Sequence, residues 1–563
     1  MTTIKLPGSR KVGHLTLFRE EREITPHEFN ALSADERLEM VRAVPGKNKY
    51  NLIIEAQDAK TLIRKLSSQE VYALVREVGE EDVTDLVEMV SNEQLTTFVD
   101  LDAWRTEGYD GQAALRWLVM LAESGEERLW EALNGLDQIS LALLFAQFVT
   151  VTGGLGDLLE EDRLQRGEID KIYQVDYKDS EMAKLIGGFL DVIYRRDIDL
   201  YIALMELVRT EQGASLEEFG LQQRNGRLLD QGIPDPESAA SVYTFLDPER
   251  FTELAPAEKV SLNEQLAAPL PGNLLVAARP GGVLAELLAE GLSEELAWEL
   301  TCLTNKVLVA SQADIGNPEH IATALQETYA NLEIALGYLC GNDLQQAEQL
   351  LASHYLEHIF RLGFSLLLRL QRRARKVRSE VGPLLDAPFA RLIEGLAAPR
   401  PLLYRDLVEP GRDELRPFRS YQEVEVSETA LGGVEDQQRL FHEHLPLQRE
   451  ALAQLDLTGC NIEENDLTLA TLLLTSLANR LLGRDFSPLP MPADDLTSLH
   501  AMISRDGQLN DNLRRETLTW LDGLVSGSST FGAYCLGLWE DGICALEAQA
   551  LDARFVSGLI VRL

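Results

Sequence analysis

What this chain has little of narrows the field first. It has five cysteines in 563 residues, Cys302, Cys340, Cys460, Cys535 and Cys544, and none forms a CxxC pair. An odd, scattered set argues against a disulfide framework and a cysteine-rich zinc module, and fits a reducing, cytoplasmic setting. Long apolar runs are missing too. The most hydrophobic stretch, 139–159, is interrupted by Ser140, Gln147, Thr150, Thr152, three glycines and Asp157. It falls short of the ~20 uninterrupted apolar residues a spanning helix needs, so a buried helix and a turn are expected there. The opening MTTIKLPGSRKVGHLTLF has basic residues but no apolar core of a secretory signal. A sustained strand-like alternation is also absent.

Bases are scarce. Ninety-one acids face 52 lysines and arginines, a formal net charge of −39. Such a field repels phosphate backbones and anionic membrane surfaces, and attracts basic partners or cations. No nucleic acid and no integral membrane segment are therefore expected. Hydrophobic residues make up 45% of the chain, enough for large buried cores and too many for a disordered chain.

The most informative pattern is a repeat. Ala59, Leu62, Ile63 and Leu66 are followed twelve residues on by Val71, Leu74, Val75 and Val78. Then come Val83, Leu86, Val87 and Val90, and finally Leu95, Phe98, Val99 and Asp102. Each set is spaced i, i+3, i+4, i+7, one face of a helix. Ser67 with Glu70 and Ser91 with Gln94 have capping-box spacing, and Gly79 suits a helix terminator. Helices this short are marginal alone and must stack to bury their faces, which predicts a superhelix. A weaker echo runs through Ala239, Val242, Tyr243, Leu246, Phe251 and Leu254, preceded by Asp235-Pro236 as a helix start.

The expected architecture is all-α and multi-domain, a short-helix superhelix followed by helical bundles. Its divisions are a mixed polar leader (1–45), the superhelix (46–165), a helical domain with the second repeat (166–270), a helical bundle (271–380), a proline-rich junction (381–435) and a C-terminal helical domain (436–563). Longer helices are expected near 282–290, 293–311, 318–339 and 344–378, and later near 436–444, 466–482, 494–503 and 510–525. A Gly/Ser break is expected at 526–532 and a short β element at 423–426.

The run LIRKLSSQEVYALVREVGEEDVTDLVEMVSNEQLTTFVDLDAW, within 51–104, resembles the N-terminal cytosolic domain of the MgtE-type magnesium transporters. There, leucine-rich short helices recur near every twelve residues and often end in LD, the place taken here by Val99-Asp100-Leu101-Asp102. The resemblance implies an armadillo-like superhelix. The membrane region and paired regulatory domain of those transporters have no counterpart, so transport does not carry over and no magnesium ligand can be matched. The whole chain also resembles an uncharacterised bacterial domain family of unknown function, through RNGRLLDQGIPDPESA, HYLEHIFRLGF and LLLTSLANRLL.

The sharpest chemical motif is His354-Tyr355-Leu356-Glu357-His358, an HxxEH pattern. On one helix the two imidazoles, four apart, can hold a zinc ion, with Glu357 as general base and Glu435 as a further ligand, or His442 or His444 in its place. Against this stand the helical flanks and the fit of Glu357 and His358 to an ordinary amphipathic helix. The basic run Arg369, Arg372, Arg373, Arg375, Lys376 and Arg378 can bind an anion or pair with the chain's own acids. Arg224-Asn225-Gly226-Arg227 reads as a turn whose arginines can clamp an anion. Gly153-Gly154-Leu155-Gly156 lacks the Gly-Lys-Ser/Thr of a phosphate loop.

The composition and the repeat together favour a non-catalytic protein–protein interaction scaffold or regulatory protein with a basic partner and no cofactor. A zinc-dependent hydrolase at 354–358 is the alternative, and a magnesium-responsive scaffold a third.

Overall fold

The structure, a computed structural model, describes residues 4–12, 15–44, 46–79, 83–105, 108–154, 172–210, 213–253, 280–290, 293–445, 452 and 455–563. Twenty-five α-helices and only short or two-stranded β elements make up this part of the chain, which is all-α. It divides into two units, residues 1–246 with 250–361, and 247–249 with 362–563. None of its helices is long and apolar enough to cross a membrane.

The first unit opens on an antiparallel hairpin, β1 (Ile4–Val12) and β2 (Leu15–Ile24). Two short helices follow, α1 (Pro26–Asn30) and α2 (Ala34–Ala43), each started by a capping box, Thr25 with Glu28 and Ser33 with Glu36. The hairpin lies within the expected leader and was not legible as strands, because its alternation is broken by Pro7, Gly8 and a register shift between Pro7 and Ser9.

The repeat segment is helical throughout. It comprises α3 (Gly46–Ile54), α4 (Ala59–Lys65), α5 (Ser68–Val78), α6 (Thr84–Met89), α7 (Asn92–Asp102), α8 (Gly111–Glu123), α9 (Glu126–Gly135) and α10 (Gln138–Phe148). Of the sixteen repeat positions, all but Ala59, Val78 and Asp102 are buried. The rhythm, however, is coarser than twelve. Helices of seven and eleven residues alternate with ones of six and eleven, so the true unit is a helix pair. Only the longer member is capped from within: Ser67 accepts from Glu70 N, and Ser91 exchanges bonds with Gln94. Asp58 and Val83, heading the shorter members, make no side-chain cap.

Packing follows the pairs. α3, α5, α7 and α9 touch in succession, as do α4, α6, α8 and α10, giving two adjoining rows. Between them lie Phe98, Trp117 and Tyr72, with ring centroids 5.1–6.3 Å apart. Each fully buried large apolar side chain contributes about 1.5–3 kcal/mol. That burial supplies what helices of six to eleven residues cannot generate alone.

Two hairpins, β3–β4 (Trp104–Arg105 with Gly108–Tyr109) and β5–β6 (Val149–Gly153 with Tyr173–Tyr177), interrupt the helices. Next come α11 (Ala183–Arg196), α12 (Ile198–Thr210), α13 (Gly213–Asp230) and α14 (Pro236–Ala240). In the weaker echo, Ala239, Val242 and Phe251 are buried, but in α14 and two 3-10 turns rather than in stacked helices, and Leu254 lies outside the described residues. The unit continues with α15 (Gly282–Glu290), α16 (Glu294–Ala310), α17 (Pro318–Cys340) and α18 (Leu344–Ser353). The expected helix over 344–378 is two: α18 ends at Ser353 and α19 spans Leu356–Val381.

The second unit takes most of α19, from Leu362 on, then α20 (Ala387–Ala397), the β7–β8 pair (Leu402–Tyr404 with Leu415–Pro417) and α21 (Tyr421–Arg439), which runs into a π-helical turn, Leu440–His444. The proline-rich stretch is folded here: Leu392, Ile393, Leu396, Leu403 and Phe418 are buried. Residues 423–426, expected as strand, lie in α21, where Val424 shares the buried face of Ser427, Leu431 and Val434 at helical spacing. The unit is completed by β9 (Met491–Pro492) and α22 (Leu469–Leu481), which is buried along nearly its whole length, then α23 (Asp495–Ile503), β10–β11 (Ser504–Arg505 with Gln508–Leu509) and α24 (Asp511–Leu524). Last come α25 (Ser529–Trp539), which shortens the expected Gly/Ser break, and β12 (Val561–Arg562), parallel to β9.

Several helix starts are capped by a distant side chain. Glu77 accepts from Gly46 N at 3.1 Å, Gln147 from Gly111 N at 2.8 Å, Glu299 from Leu356 N at 2.6 Å, and Asp386 from Ala470 N at 3.1 Å. Buried Glu333 accepts from Val283 N (3.3 Å) and Leu284 N (2.9 Å) at the start of α15. Gly282 there has φ +56°, and a Cβ would fall on Glu333 Oε1, so glycine is required twice over. Burial pushes the Glu333 carboxyl up, against the pull of the two amides. Because the native state then holds this proton more tightly than the unfolded chain, lowering the pH from neutral adds stability through this group. Urea denaturation across pH is predicted to show the wild type gaining on Glu333→Gln as pH falls towards the ordinary glutamate range; a difference that stays constant contradicts this.

Candidate functional site

The HxxEH motif straddles the break between α18 and α19. His354 is the extended residue that ends α18, with φ −128° and ψ 147°, and Tyr355 precedes the first turn of α19. The two imidazoles therefore do not share one helical face. His354 stacks on Phe251 at 5.2 Å and its Nδ1 lies 3.0 Å from Ser353 Oγ, while His358 meets the Tyr355 ring edge-on. Burial and Arg361 hold the His358 imidazole below its usual pKa. Glu357 places both carboxylate oxygens 2.9 Å from Lys306 Nζ, so the expected general base is an ion-pair partner. The break was hidden in the sequence because the cap of α19 comes from Glu299, 57 positions away.

Glu435 belongs to the second unit, where the Arg373 guanidinium grips both its oxygens at 2.9–3.0 Å. His442 sits in the π turn with Nε2 4.0 Å from Glu380 Oε2, and His444 lies beside Glu443 at 3.8 Å. Lys376, Glu380, Glu435 and His442 line a cleft of about 420 Å³. Among the described residues, no group of three or more His, Cys, Asp or Glu side chains is arranged to hold a metal ion.

The basic run largely meets the chain's own acids. Arg369 reaches Asp247 (3.1 Å) and Glu249 (3.4 Å), Arg373 also bonds Glu428 (2.7 Å), and Arg375 donates to Ala397 O (3.2 Å). The cations near the end of α19 are thereby used in holding the second unit together.

Arg224 and Arg227, expected in a turn, lie one helical turn apart on α13, on the same side as buried Leu216, Gly220 and Leu228. They do clamp an anion, and it is the chain's own Asp100. Arg227 Nε and Nη2 each lie 2.8 Å from one Asp100 oxygen, Arg224 Nε donates to Asp100 O at 2.8 Å, and Arg227 Nη1 stands 3.3 Å from Asp137. Asp100 is 1% exposed. Burial lifts its carboxyl above the ordinary range, against the Arg227 guanidinium. The same burial holds Arg224 below its usual value. Gln231 adds a 2.7 Å bond to Thr97. α13 is thus fastened across α7 by a fork–fork pair and its neighbours.

One open groove lies against the helix rows. It runs along α8 and holds about 650 Å³, with Val119, Met120 and Met182 half-buried in its floor. The size is within the ~300–1,000 Å³ of ligand-sized clefts. Both arginines on its rim are matched at home: Arg105 to Asp110 at 2.9 Å and Arg116 to Asp102 at 2.8 Å. The sequence analysis did not mark this groove; the one available signal is the i, i+4, i+8 line of exposed Gln112 and Arg116 with half-buried Met120.

These features define an all-α protein of paired short helices and longer helical packing, with an open groove in its first unit. The chain belongs to a family of unknown function, DUF6178, whose model matches residues 26–562 and so takes in both units. No curated protein and no solved structure is significantly similar to it.

Removing the carboxylate at 100 leaves the partly buried Arg224 and Arg227 facing only Asp137 among the described carboxylates. Asp100→Ala is predicted to cost about 3 kcal/mol in chemical denaturation, and Asp102→Ala, at a more exposed site, less than about 1 kcal/mol. Equal losses would contradict the clamp.

Proposed function

We propose that this protein is a non-catalytic interaction scaffold whose first unit binds a protein partner with a basic surface. The observation that carries this reading is the pair of helix rows from α3 to α10. Stacked helix pairs expose an extended face built from many elements, and such faces bind partners. The rows also favour the superhelical course implied by the resemblance to the MgtE-type cytosolic domain. The net charge of −39 supplies the complementarity for a basic partner and the long-range attraction that speeds encounter. The best chemical motif in the sequence offers no competing chemistry: His354 and His358 are on different elements, Glu357 is neutralised by Lys306, and Glu435 by Arg373.

The test is site-specific photo-crosslinking in cells. A photoreactive residue is placed at exposed positions of the rows, such as Gln112 and Arg64, and at Arg412 in the second unit. The expected result is one recurring protein crosslinked from the row positions and not from Arg412, with the complex dissociating at about 0.5 M salt, where charges beyond a few ångströms are screened. Crosslinks confined to Arg412, or none from the rows, contradict the reading.

A further inference from the structure

We infer that the groove along α8 receives the apolar face of a basic amphipathic helix from the partner; this rests on the scaffold reading and names the partner's binding element. The floor is apolar and adaptable. Val119 and Met120 come from the outward side of α8, and Met182 from the chain entering α11. Methionines repack around varied apolar side chains, as surfaces that bind amphipathic helices require. All three are packed on the core beneath, so the floor stands ready-made.

The charge of the rim selects the sign of the ligand. Its two arginines are already neutralised, Arg105 by Asp110 and Arg116 by Asp102. The acids at the far end are not. Glu123 lines the groove, is exposed, and has no ionic partner among the described residues. Glu88, on neighbouring α6, accepts from the Ser124 hydroxyl at 2.5 Å, which fixes a second carboxylate at the end of α8 with no cation to offset it. Asp85, following the groove residue Thr84, is exposed and likewise unpaired among the described residues. An apolar floor ended by the Glu123 carboxylate, with Glu88 and Asp85 on the adjoining α6, suits a helix with leucine-like anchors on one face and lysines or arginines beside them. An acidic helix meets the same floor but is repelled at the end of α8.

The test uses the full chain and two fluorescent synthetic peptides, a Leu/Lys amphipathic helix and its Leu/Glu counterpart, read by fluorescence anisotropy. The wild type is expected to bind the Leu/Lys peptide and not the Leu/Glu one. Met120→Glu should weaken binding at least about tenfold, equivalent to about 1.4 kcal/mol, even though it adds a negative charge. Glu123→Lys, at an exposed position that leaves the fold intact, should weaken it similarly. Glu425→Lys, at an exposed acid of the second unit that does not line the groove, should change it less than about twofold. Absence of Leu/Lys binding overturns the inference. So does equal loss from Glu425→Lys and Glu123→Lys, which would mean attraction to net charge alone. A partner crosslinked from the helix rows but bound equally by the Met120→Glu and Glu123→Lys chains would leave the scaffold standing and end the groove proposal.

Discussion

A helix of seven residues leaves as many unpaired backbone groups at its ends as one of thirty, and buries too little to stand alone. The first unit depends on the way this constraint is met. Every short helix has its apolar stripe covered by the helix two positions on, and several helix starts are closed by a side chain from elsewhere in the fold. Glu77 at α3, Gln147 at α8, Glu333 at α15 and Glu299 at α19 act as caps that no local spacing supplies. Helix formation and tertiary packing are thereby made a single event.

The same carboxylates explain part of the unusual composition. An acid that caps a helix meets the positive end of a macrodipole, and one that grips an arginine joins distant segments, as Asp100 does to α13 and Glu435 to Arg373. Such inward-facing acids are structural. The remainder stay outside and set the field through which a partner approaches. Where a rim has its cations neutralised at home, as along α8, even a modest local surplus of carboxylate decides which sign of ligand fits.

Much of the fold was legible in the sequence because helical periodicity is local. The sixteen-position repeat marked four helices and most of their buried apolar residues, though not Tyr72 or the buried polar Gln69, Glu70, Gln94 and Asp100, and Ser67, Gly79 and Ser91 marked their ends. What could not be read came from partners far along the chain. The twelve-residue rhythm concealed a helix-pair repeat, because only every second helix carries a local cap. The turn expected at Arg224–Arg227 is helix because Asp100 gives those arginines a reason to lie on one face. The helix expected through His354 breaks because Glu299 starts a new one at Leu356. The packing role of His358 and an ion-pair role for Glu357 were already suggested by an amphipathic reading of their helix, whereas the partners of His354, Glu357 and Glu435, namely Phe251, Lys306 and Arg373, lie too far along the chain for spacing to reveal.

The central physical claim is that α4 to α7 persist only as members of their rows. Native-state hydrogen exchange tests it most directly, since it reports how each backbone amide opens. If the account is right, amides of six-residue α6 exchange as slowly as those of eleven-residue α5 and α7, and all lose protection together as denaturant is added. Exchange of α4 and α6 at the rate of free peptide, while α5 and α7 stay protected, would contradict it.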